Sequence, residues 1–366
     1  MSRLLSRRNF LTTTTAGIGE LAFAQFFPAF GEENNGAWVH GMQINPAIDN
    51  LRVVNCTDPA MITANPAKWD IVSQNTPVVA DKVRANIDAM ACALAQKTAP
   101  AEAWAAIFRK PATKQWSEVK AAIKPNASGI CNNTRVAVIG TVCSALVRLG
   151  VRPENIAMYG CNRKGNMDTT TGYRPFVGSE LPGGIFLSDG HESMGGTVKT
   201  RIPKPQAGEF ECAAALADGT IDILVNIGTN KGHIFDSVGG LSLTMKNHCG
   251  SFLFPVVKHF TRDGLKYIIA INKSNAILGG TPPRQQLCIV DSLWGMKKGP
   301  SGIPTMRLNS LSMGTFGPAV DWVVMKKIRE PLMGCKHPAF ISTIMTEFGY
   351  QPSQFENLDF VKVQPA

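Results

Sequence analysis

The sequence predicts an α/β fold with a mostly parallel sheet and flanking helices. The main observation is that short apolar, β-prone runs alternate with stretches of helical spacing from about residue 115 onwards, a pattern typical of parallel sheets with crossover helices. A second observation is that segments rich in Gly, Asn and Lys follow several of these runs. The chain has 366 residues and is 44% apolar, which is enough for one large core or two modest ones.

The N-terminal part of the chain is expected to contain only local elements. Residues 25–114 are interpreted as a lead-in and helical segment ahead of an α/β domain over residues 115–366. Residues 51–56 are β-prone and end at a Thr-Asp-Pro turn. Apolar residues recur at helical spacing over 81–96, so an amphipathic helix is predicted there.

The later elements are expected to alternate regularly. Residues 134–149 form a predicted helix that Gly150 closes, since glycine is a common helix stop. Two further helices are predicted at 210–217 and 318–328. The predicted strands cover 117–123, 156–159, 221–227, 267–271 and 287–290. The stretch 162–208 is polar and rich in Gly and Pro, so it is predicted to be a long loop insertion, a feature that is usually functional.

The first two dozen residues have the layout of a removable export signal. Arg7 and Arg8 precede a weakly apolar stretch, which is the twin-arginine form of such signals. That stretch is too short and too polar to span a bilayer, which needs about 20 apolar residues. A small-x-small site at 22–24 predicts removal of residues 1–24. The expected partner is the twin-arginine translocase, and the expected location is the periplasm or another extracytoplasmic space, reached after folding.

Charge and composition argue against several classes of function. Loss of residues 1–24 removes three arginines and one glutamate, so the formal net charge falls from +10 to +8. Lys and Arg are scattered and do not alternate with aromatic residues, so a nucleic-acid partner is not expected. No later segment approaches 18 unbroken apolar residues, so no stable membrane span is expected in the mature form. The nine cysteines are widely spaced and include no CxxC pair, which argues against an iron–sulfur cluster on the chain's own cysteines and favours buried thiols.

Polar residues follow the predicted strands where ligands gather in parallel α/β sheets, beyond the carboxyl ends. Lys124 and Asn126 flank a proline after the strand at 117–123, and this ammonium and amide could hold a carboxylate or phosphate. Lys231 and His233 follow the strand at 221–227, and Asp236 could orient the histidine. A histidine here could act as an acid–base group or as a metal ligand.

Four further residues complete the candidate site. Lys246 and Asn247 lie at the end of an apolar run, and Asp291 and Asp321 are candidate metal ligands at a strand exit and in the last predicted helix. His191 is a separate candidate metal ligand inside the 162–208 stretch.

Each of these residues also has a structural interpretation. Lys124 could be a solvated lysine in a turn, and His233 a hydrogen-bonded loop histidine. Lys246 could bind the last carbonyl groups of a helix, and a turn capped by Asp189 would explain the surroundings of His191.

Six motifs in order resemble the family catalogued as domain of unknown function 362. They are KPN at 124–126, KGH at 231–233, LTMKNHCG at 243–250, IVD at 289–291, GPSG at 299–302 and PAVD at 318–321. The resemblance covers roughly residues 115–328, with a similar tail over 337–363. The chain departs from the family pattern at Gly232, where threonine is usual, at Phe316, where an aspartate is usual, and at Lys297 and Lys298, where an acid is usual.

The leading hypothesis is an extracytoplasmic enzyme that acts on a small anionic substrate. Lys231, His233 and Lys246 are the expected catalytic residues, and Lys124, Asn126 and Asn247 are expected to bind substrate. The cofactor is unknown, and a divalent metal is one option. The alternative is a non-catalytic protein that binds a ligand or cofactor at the same site. A third hypothesis is a racemase- or isomerase-like activity, because the Lys–His arrangement is faintly similar to that of nickel-dependent lactate racemases.

Overall fold

The computed structural model describes residues 37–127, 132–160, 170–233, 240–252, 263–299, 302–336 and 338–366. Residues Gly36–Ala366 cluster into one compact unit. The predicted signal peptide and Asp236 lie outside the described residues.

Most of the described strands belong to one large sheet. The strands are β1 (Val53–Thr57), β2 (Ala121–Pro125), β3 (Ile156–Tyr159), β4 (Phe186–Ser188), β5 (Thr197–Ile202), β6 (Gly208–Ala213), β7 (Ile223–Gly232), β8 (Leu241–Ser242), β9 (Gln285–Met296), β10 (Met306–Gly314) and β11 (Phe360–Val363). The sheet has nine strands in the order β11-β1-β10-β9-β7-β2-β3-β4, with β8 paired to β7, while β5 and β6 form a separate ribbon.

The strand directions confirm the predicted α/β fold with a mostly parallel sheet. Strands β9, β7, β2, β3 and β4 are parallel neighbours. Strand β10 is antiparallel to both β9 and β1. Strand β1, which comes from the segment predicted as the N-terminal lead-in, lies inside the sheet between β10 and β11.

Helices cover both faces of this sheet. They are α1 (Ile71–Asn75), α2 (Ala80–Ala95), α3 (Pro100–Ile107), α4 (Val136–Arg148), α5 (Ala214–Ala217), α6 (Thr244–Asn247), α7 (Gly264–Lys273), α8 (Gly317–Val323), α9 (Glu330–Met333), α10 (Pro338–Glu347) and α11 (Pro352–Glu356). A π-helical segment, Val324–Arg329, connects α8 to α9. Helices α2, α3 and α4 contribute to the hydrophobic core on one face, and α7 and α8 contribute to the core on the other.

The central strands are apolar because both of their faces are covered. Strands β2, β7 and β9 are buried along their whole length, as parallel strands between two helical layers usually are. The predicted helices at 81–96 and 134–149 are confirmed as α2 and α4. Gly150 has a φ of +105°, a conformation that glycine adopts readily, so the predicted helix stop is also confirmed.

Two secondary-structure predictions have the wrong element, and the strand predicted at 117–123 begins only at Ala121, after a 3₁₀ helix at Trp116–Glu118. Residues 267–271 lie in helix α7, not in a strand, because a short apolar run buried on most sides fits either element. Residues 210–213 lie in strand β6 and only 214–217 are helical. In β6 the residues pair antiparallel with β5, from Thr197 opposite Ala213 to Ile202 opposite Gly208. The pairing of these two strands overrides the local helical preference.

The described part of the 162–208 stretch contains regular structure within its connections. It carries a 3₁₀ helix at Thr170–Phe176, strand β4 at the edge of the main sheet, and strand β5 of the ribbon. Among the described residues, no helix has both the length and the apolar character that a membrane span requires.

Candidate functional site

The carboxyl end of β2 places Lys124 and Asn126 next to β7. Lys124 aligns with Asn226 in the parallel pairing of β2 with β7. The backbone N–H of Asn126 donates to the carbonyl of Ile227 at 2.9 Å. Pro125 ends the strand, and the side chain of Asn126 therefore projects just beyond the paired region. Lys124 is 3% exposed, so it is not the solvated turn lysine of the structural interpretation.

Lys231 reaches the same place from the neighbouring strand. Strand β7 continues to Gly232, so Lys231 is a strand residue and lies beyond the predicted end at residue 227. Its side chain is 1% exposed, and its Nζ donates to Oδ1 of Asn126 at 2.6 Å. This bond joins two residues that the sequence separates by more than 100 positions.

Asn247 extends the contact into a chain of amides. Nδ2 of Asn126 donates to Oδ1 of Asn247 at 3.1 Å. Nδ2 of Asn247 donates to the carbonyl of Lys124 at 3.0 Å and to Oδ1 of Asn226 at 2.9 Å. The predicted ligand-binding residues Lys124, Asn126 and Asn247 thus lie together with Lys231.

The series of amide hydrogen bonds continues to a buried histidine, His248. Nδ2 of Asn226 donates to the carbonyl of Thr244 at 2.8 Å and to Oε1 of Gln285 at 3.1 Å. Nε2 of His248 lies 2.6 Å from the same Oε1. Nδ2 of Asn226 also lies 2.9 Å from Nε2 of His248. The shorter contact is the one with the amide oxygen of Gln285, which only accepts, so we assign the proton of His248 to Nε2 and the acceptor role to Nδ1.

The directions of the last two hydrogen bonds in this series follow from that tautomer. Nδ1 of His248 lies 2.9 Å from Oγ of Ser251, so the hydroxyl of Ser251 donates to it. Oγ of Ser251 then accepts from the hydroxyl of Tyr159 at 2.8 Å. Burial lowers the pKa of His248 to about 3, with a further contribution from the charge of Lys124, so the imidazole is neutral. A continuous series of side-chain hydrogen bonds therefore connects Lys231 to Tyr159.

His233 and Lys246 form a second pair at this edge. His233 follows β7, and its backbone N–H donates to the carbonyl of Gly240 at 2.7 Å. Its pKa falls to about 3, first because it is buried and then because the Lys246 ammonium lies nearby. Lys246 is in helix α6 and is 9% exposed. A neutral imidazole next to an ammonium can accept a proton but does not hold one at neutral pH.

His191 lies near these residues, although its position in the sequence predicts a separate site. Its Nε2 lies 2.6 Å from the carbonyl oxygen of Gly250, close in sequence to Lys246 and Asn247. Its ring packs against Tyr159 with the centroids 6.0 Å apart. On the same tyrosine, Nζ of Lys124 lies 5.5 Å from the ring centroid. The 162–208 stretch thus contributes a residue to the carboxyl end of β3.

Asp321, a candidate metal ligand, holds the start of helix α6. Its Oδ1 accepts from the backbone N–H of Thr244 at 2.9 Å and from its hydroxyl at 2.6 Å, and Oδ2 accepts from the N–H of Met245 at 2.9 Å. Acceptors at a helix start satisfy N–H groups that have no partner within the helix. Burial raises the pKa of Asp321 to about 7 despite these three donors.

Asp291, the other acidic candidate, supports a different helix. It lies within β9 rather than after it, because that strand is longer than predicted. Its Oδ2 accepts from the backbone N–H of Arg135, immediately before α4, at 2.8 Å, and its Oδ1 accepts from the N–H of Leu293 at 3.0 Å. The guanidinium of Arg135 lies 4.0 Å away, and both side chains are fully buried. Within the described residues, no three His, Cys, Asp or Glu side chains lie close enough together to hold a metal ion.

Two of the departures from the family pattern contact each other. A Cβ atom on Gly232 would lie 2.0 Å from the carbonyl oxygen of Lys297 and 3.0 Å from Cα of Lys298. A threonine at position 232 is therefore incompatible with this backbone. Because Gly232 has no side chain, the backbone of the Lys297–Lys298 segment lies directly against it.

Several residues of the hydrogen-bonded series from Lys231 to Tyr159 were not predicted. Tyr159, Asn226 and Gln285 lie inside strands that were identified by their apolar neighbours, and His248 was noted only as part of a motif. The available signal was a polar residue interrupting an apolar strand, as Asn226 does. Pairing such residues across strands requires the register, which the sequence does not supply.

The five described buried cysteines agree with the predicted buried thiols. They are Cys56, Cys143, Cys212, Cys249 and Cys288. Burial raises the pKa of Cys143 to about 12, so its thiol stays protonated.

Comparison with known proteins leaves the geometry as the main guide to function. No protein-family model matches the chain, and no curated protein shows significant similarity to it. The resemblance to domain of unknown function 362 therefore rests on the six motifs alone.

Proposed function

We propose that the chain is an exported enzyme that acts on a small anionic substrate at the strand-end cluster, defined as Lys124, Asn126, Lys231, His233, Lys246 and Asn247 together with His191. The observation that carries the proposal is the buried bond between Lys231 and Asn126 at the carboxyl ends of β2 and β7. Ligands of open α/β sheets bind at this edge. The six motifs support a relationship to domain of unknown function 362 as part of the same proposal.

The gathering of cations favours an anionic ligand. Lys124, Lys231 and Lys246 are each at most 9% exposed and lie at one edge of the sheet. Desolvation of an ammonium is unfavourable by several kcal/mol, and three of them in one region repel one another. An anion bound among them would reduce both the cost of desolvation and the repulsion between the ammonium groups.

The histidine supports an enzyme over a passive binder. His233 is neutral because of burial and the charge of Lys246. A bound anion would offset the charge of Lys246 and so raise the pKa of His233. The imidazole could then take a proton from the ligand, and the resulting positive charge would be met by the negative charge of the anion. Asn126 and Asn247 would supply neutral hydrogen bonds to orient the ligand.

Binding is tested by calorimetric titration of the purified protein with inorganic phosphate. We expect Lys231→Met to weaken phosphate binding at least about tenfold, since it removes a charge-assisted hydrogen bond. The control is Lys199→Met, which alters an exposed lysine in β5 and should leave binding unchanged. Equal losses in both variants, or no binding to the wild-type protein, would contradict the proposal.

The alternative is a non-catalytic binding protein that uses the same cluster. Native mass spectrometry with metal analysis separates the two possibilities. An intact anionic metabolite alone would favour a binder, whereas a stoichiometric metal or an organic redox group would favour an enzyme.

Export by the twin-arginine route is a separate part of the proposal and depends on Arg7 and Arg8. Replacement of both arginines by lysine should retain the protein in the cytoplasm in a cell fractionation experiment. Unchanged export of this variant would contradict the twin-arginine assignment.

A further inference from the structure

His191 is hydrogen-bonded through only one of its two ring nitrogens. Nε2 lies 2.6 Å from the carbonyl oxygen of Gly250. A carbonyl oxygen has no proton to give, so Nε2 carries the ring proton and Nδ1 keeps a bare lone pair. Within the described part of the chain, Nδ1 is buried and has no hydrogen-bond partner.

A buried acceptor in this state points to a donor from outside the chain. Buried polar atoms are almost always hydrogen-bonded, and leaving one without a partner is unfavourable. The neighbouring hydroxyl of Tyr159 is not that donor, because it is bonded to Ser251 at 2.8 Å. The missing group therefore carries an O–H or N–H that can donate to Nδ1.

The surroundings of the His191 ring indicate that the ligand which donates to Nδ1 also carries negative charge. Tyr159 has the His191 ring on one side at 6.0 Å and the Lys124 ammonium at 5.5 Å from its ring centroid. Burial, and to a smaller extent the charge of Lys124, lower the pKa of His191 to about 4. The imidazole is thus a neutral acceptor beside a cation.

We propose that the ligand of the strand-end cluster is an oxyanion that also carries a proton: its O–H donates to Nδ1 of His191, and its negative charge faces the ammonium of Lys124. This inference rests on the proposed anion-binding function and adds the class of ligand. Hydroxycarboxylates and phosphates that keep a proton at neutral pH belong to this class, whereas sulfate and simple carboxylates do not.

Two matched pairs of anions test the inference by calorimetry on the purified protein at pH 7. Phosphate is compared with sulfate, and glycolate with acetate, since each pair differs in the presence of an O–H. We expect phosphate and glycolate to bind at least about tenfold more tightly than their partners, because a site that is left with an unmet buried acceptor rejects the analogue.

Two variants of His191 separate the acceptor role of Nδ1 from the hydrogen bond that Nε2 makes to the carbonyl of Gly250. His191→Gln keeps an amide N–H that can reach the carbonyl of Gly250 but removes the acceptor at the Nδ1 position. His191→Asn places an amide oxygen near the Nδ1 position and loses the bond to Gly250. We expect the Gln variant to lose the preference within each pair, and the Asn variant to keep it.

The remaining outcomes are each decisive. Equal binding within both pairs would overturn the inference while leaving anion binding intact, and failure of all four anions to bind would overturn both proposals. A preference that appears only after a divalent metal is added would make Nδ1 a metal ligand and would overturn the inference. An unchanged ¹⁵N resonance of Nδ1 on saturation with phosphate would show that water alone occupies this position, with the same consequence.

Discussion

The two buried carboxylates and the strand-end cluster differ in what satisfies their polar atoms. Asp291 and Asp321 accept from backbone N–H groups at the starts of α4 and α6. The cluster is bonded largely through side chains, as in the contact of Lys231 with Asn126 and of Asn126 with Asn247. Backbone groups cannot move aside for a ligand, whereas side chains can exchange partners. We therefore expect changes to the carboxylates to alter stability and changes to the cluster to alter binding.

The largest effect is expected from Asp321→Ala. It leaves two backbone N–H groups without an acceptor in a buried region and the hydroxyl of Thr244 with only the carbonyl of Gly317 at 3.4 Å. The free energy of unfolding should therefore fall by about 3 kcal/mol. The measurement is chemical denaturation. Asp70→Ala is the control, because the half-buried Asp70 caps the start of α1 through Ser73 and its loss should lower stability by only about 1 kcal/mol.

A loss of stability in Asp321→Ala no larger than in the control, together with loss of phosphate binding, would instead make Asp321 a ligand-binding residue. The expected division, in which the carboxylates affect stability and the cluster affects binding, would then be wrong.

The second effect is a loss of stability on acidification. His191 and His248 have pKa values lowered to about 4 and about 3, so the unfolded chain takes up their protons first and stability falls below pH 6.5, the ordinary value. Asp321, with its pKa raised to about 7, acts in the opposite direction, because its contribution is lost as pH rises towards 7. His233, whose pKa is also lowered to about 3, acts in the same direction as the other two histidines. Three histidines against one carboxyl leave a net loss of about 2.5 kcal/mol per pH unit near pH 5.5.

Denaturation midpoints at pH 5 and pH 6.5 measure this slope. Asp321→Ala removes the opposing group, so its slope should be about one and a half times as steep as that of the wild-type protein. A stability that is constant or rises towards pH 5 would show that these histidines are not buried as neutral groups.

The third effect concerns the close approach between Gly232 and the Lys297–Lys298 segment. In Gly232→Ala, the added Cβ would lie 2.0 Å from the Lys297 carbonyl oxygen, so backbone must shift. We expect a loss of about 1–3 kcal/mol, as for other overpacked sites. Gly183→Ala is the control, since the nearest atom to its Cβ lies 4.0 Å away, and it should change thermal stability little.

The smallest effect is expected from Ser251→Ala. This change interrupts the chain between Tyr159 and His248, and the expected loss of stability is about 1–2 kcal/mol. Chemical denaturation measures this loss. Stability equal to that of the wild-type protein would show that Ser251 does not link Tyr159 to His248.

Hydrophobic periodicity predicts many of the helices and strands, and the binding of ligands beyond the carboxyl ends of parallel strands predicts much of the site. Several elements were nevertheless missed or assigned wrongly. Helices α2 and α4 and strand β3 follow from local spacing and from stops such as Gly150. Strand β10 (Met306–Gly314) was not predicted, because its serines and asparagine hide the alternation of a strand. Helix α7 was predicted as a strand, since five apolar or aromatic residues in a row fit both elements.

The residues of the candidate site were easier to predict than their partners. Lys124, Lys231 and Asn126 lie where parallel strands end, so the rule about carboxyl ends finds them. The roles of Asp291 and Asp321 could not be predicted, because their partners are backbone N–H groups that look the same in every sequence. His191 was assigned to a loop of its own because its contact with Gly250 depends on how the 170–213 region folds back onto the sheet.

The central claim is that the strand-end cluster binds a proton-bearing oxyanion, and a crystal structure with arsenate tests it most directly. Arsenate resembles phosphate in charge and protonation, and its arsenic atom is located by anomalous scattering. We expect an arsenate ion within hydrogen-bond distance of Nζ of Lys124 or Lys231, with one oxygen near Nδ1 of His191. Arsenate found only on exposed lysines such as Lys199, with Nδ1 unchanged, would contradict the account.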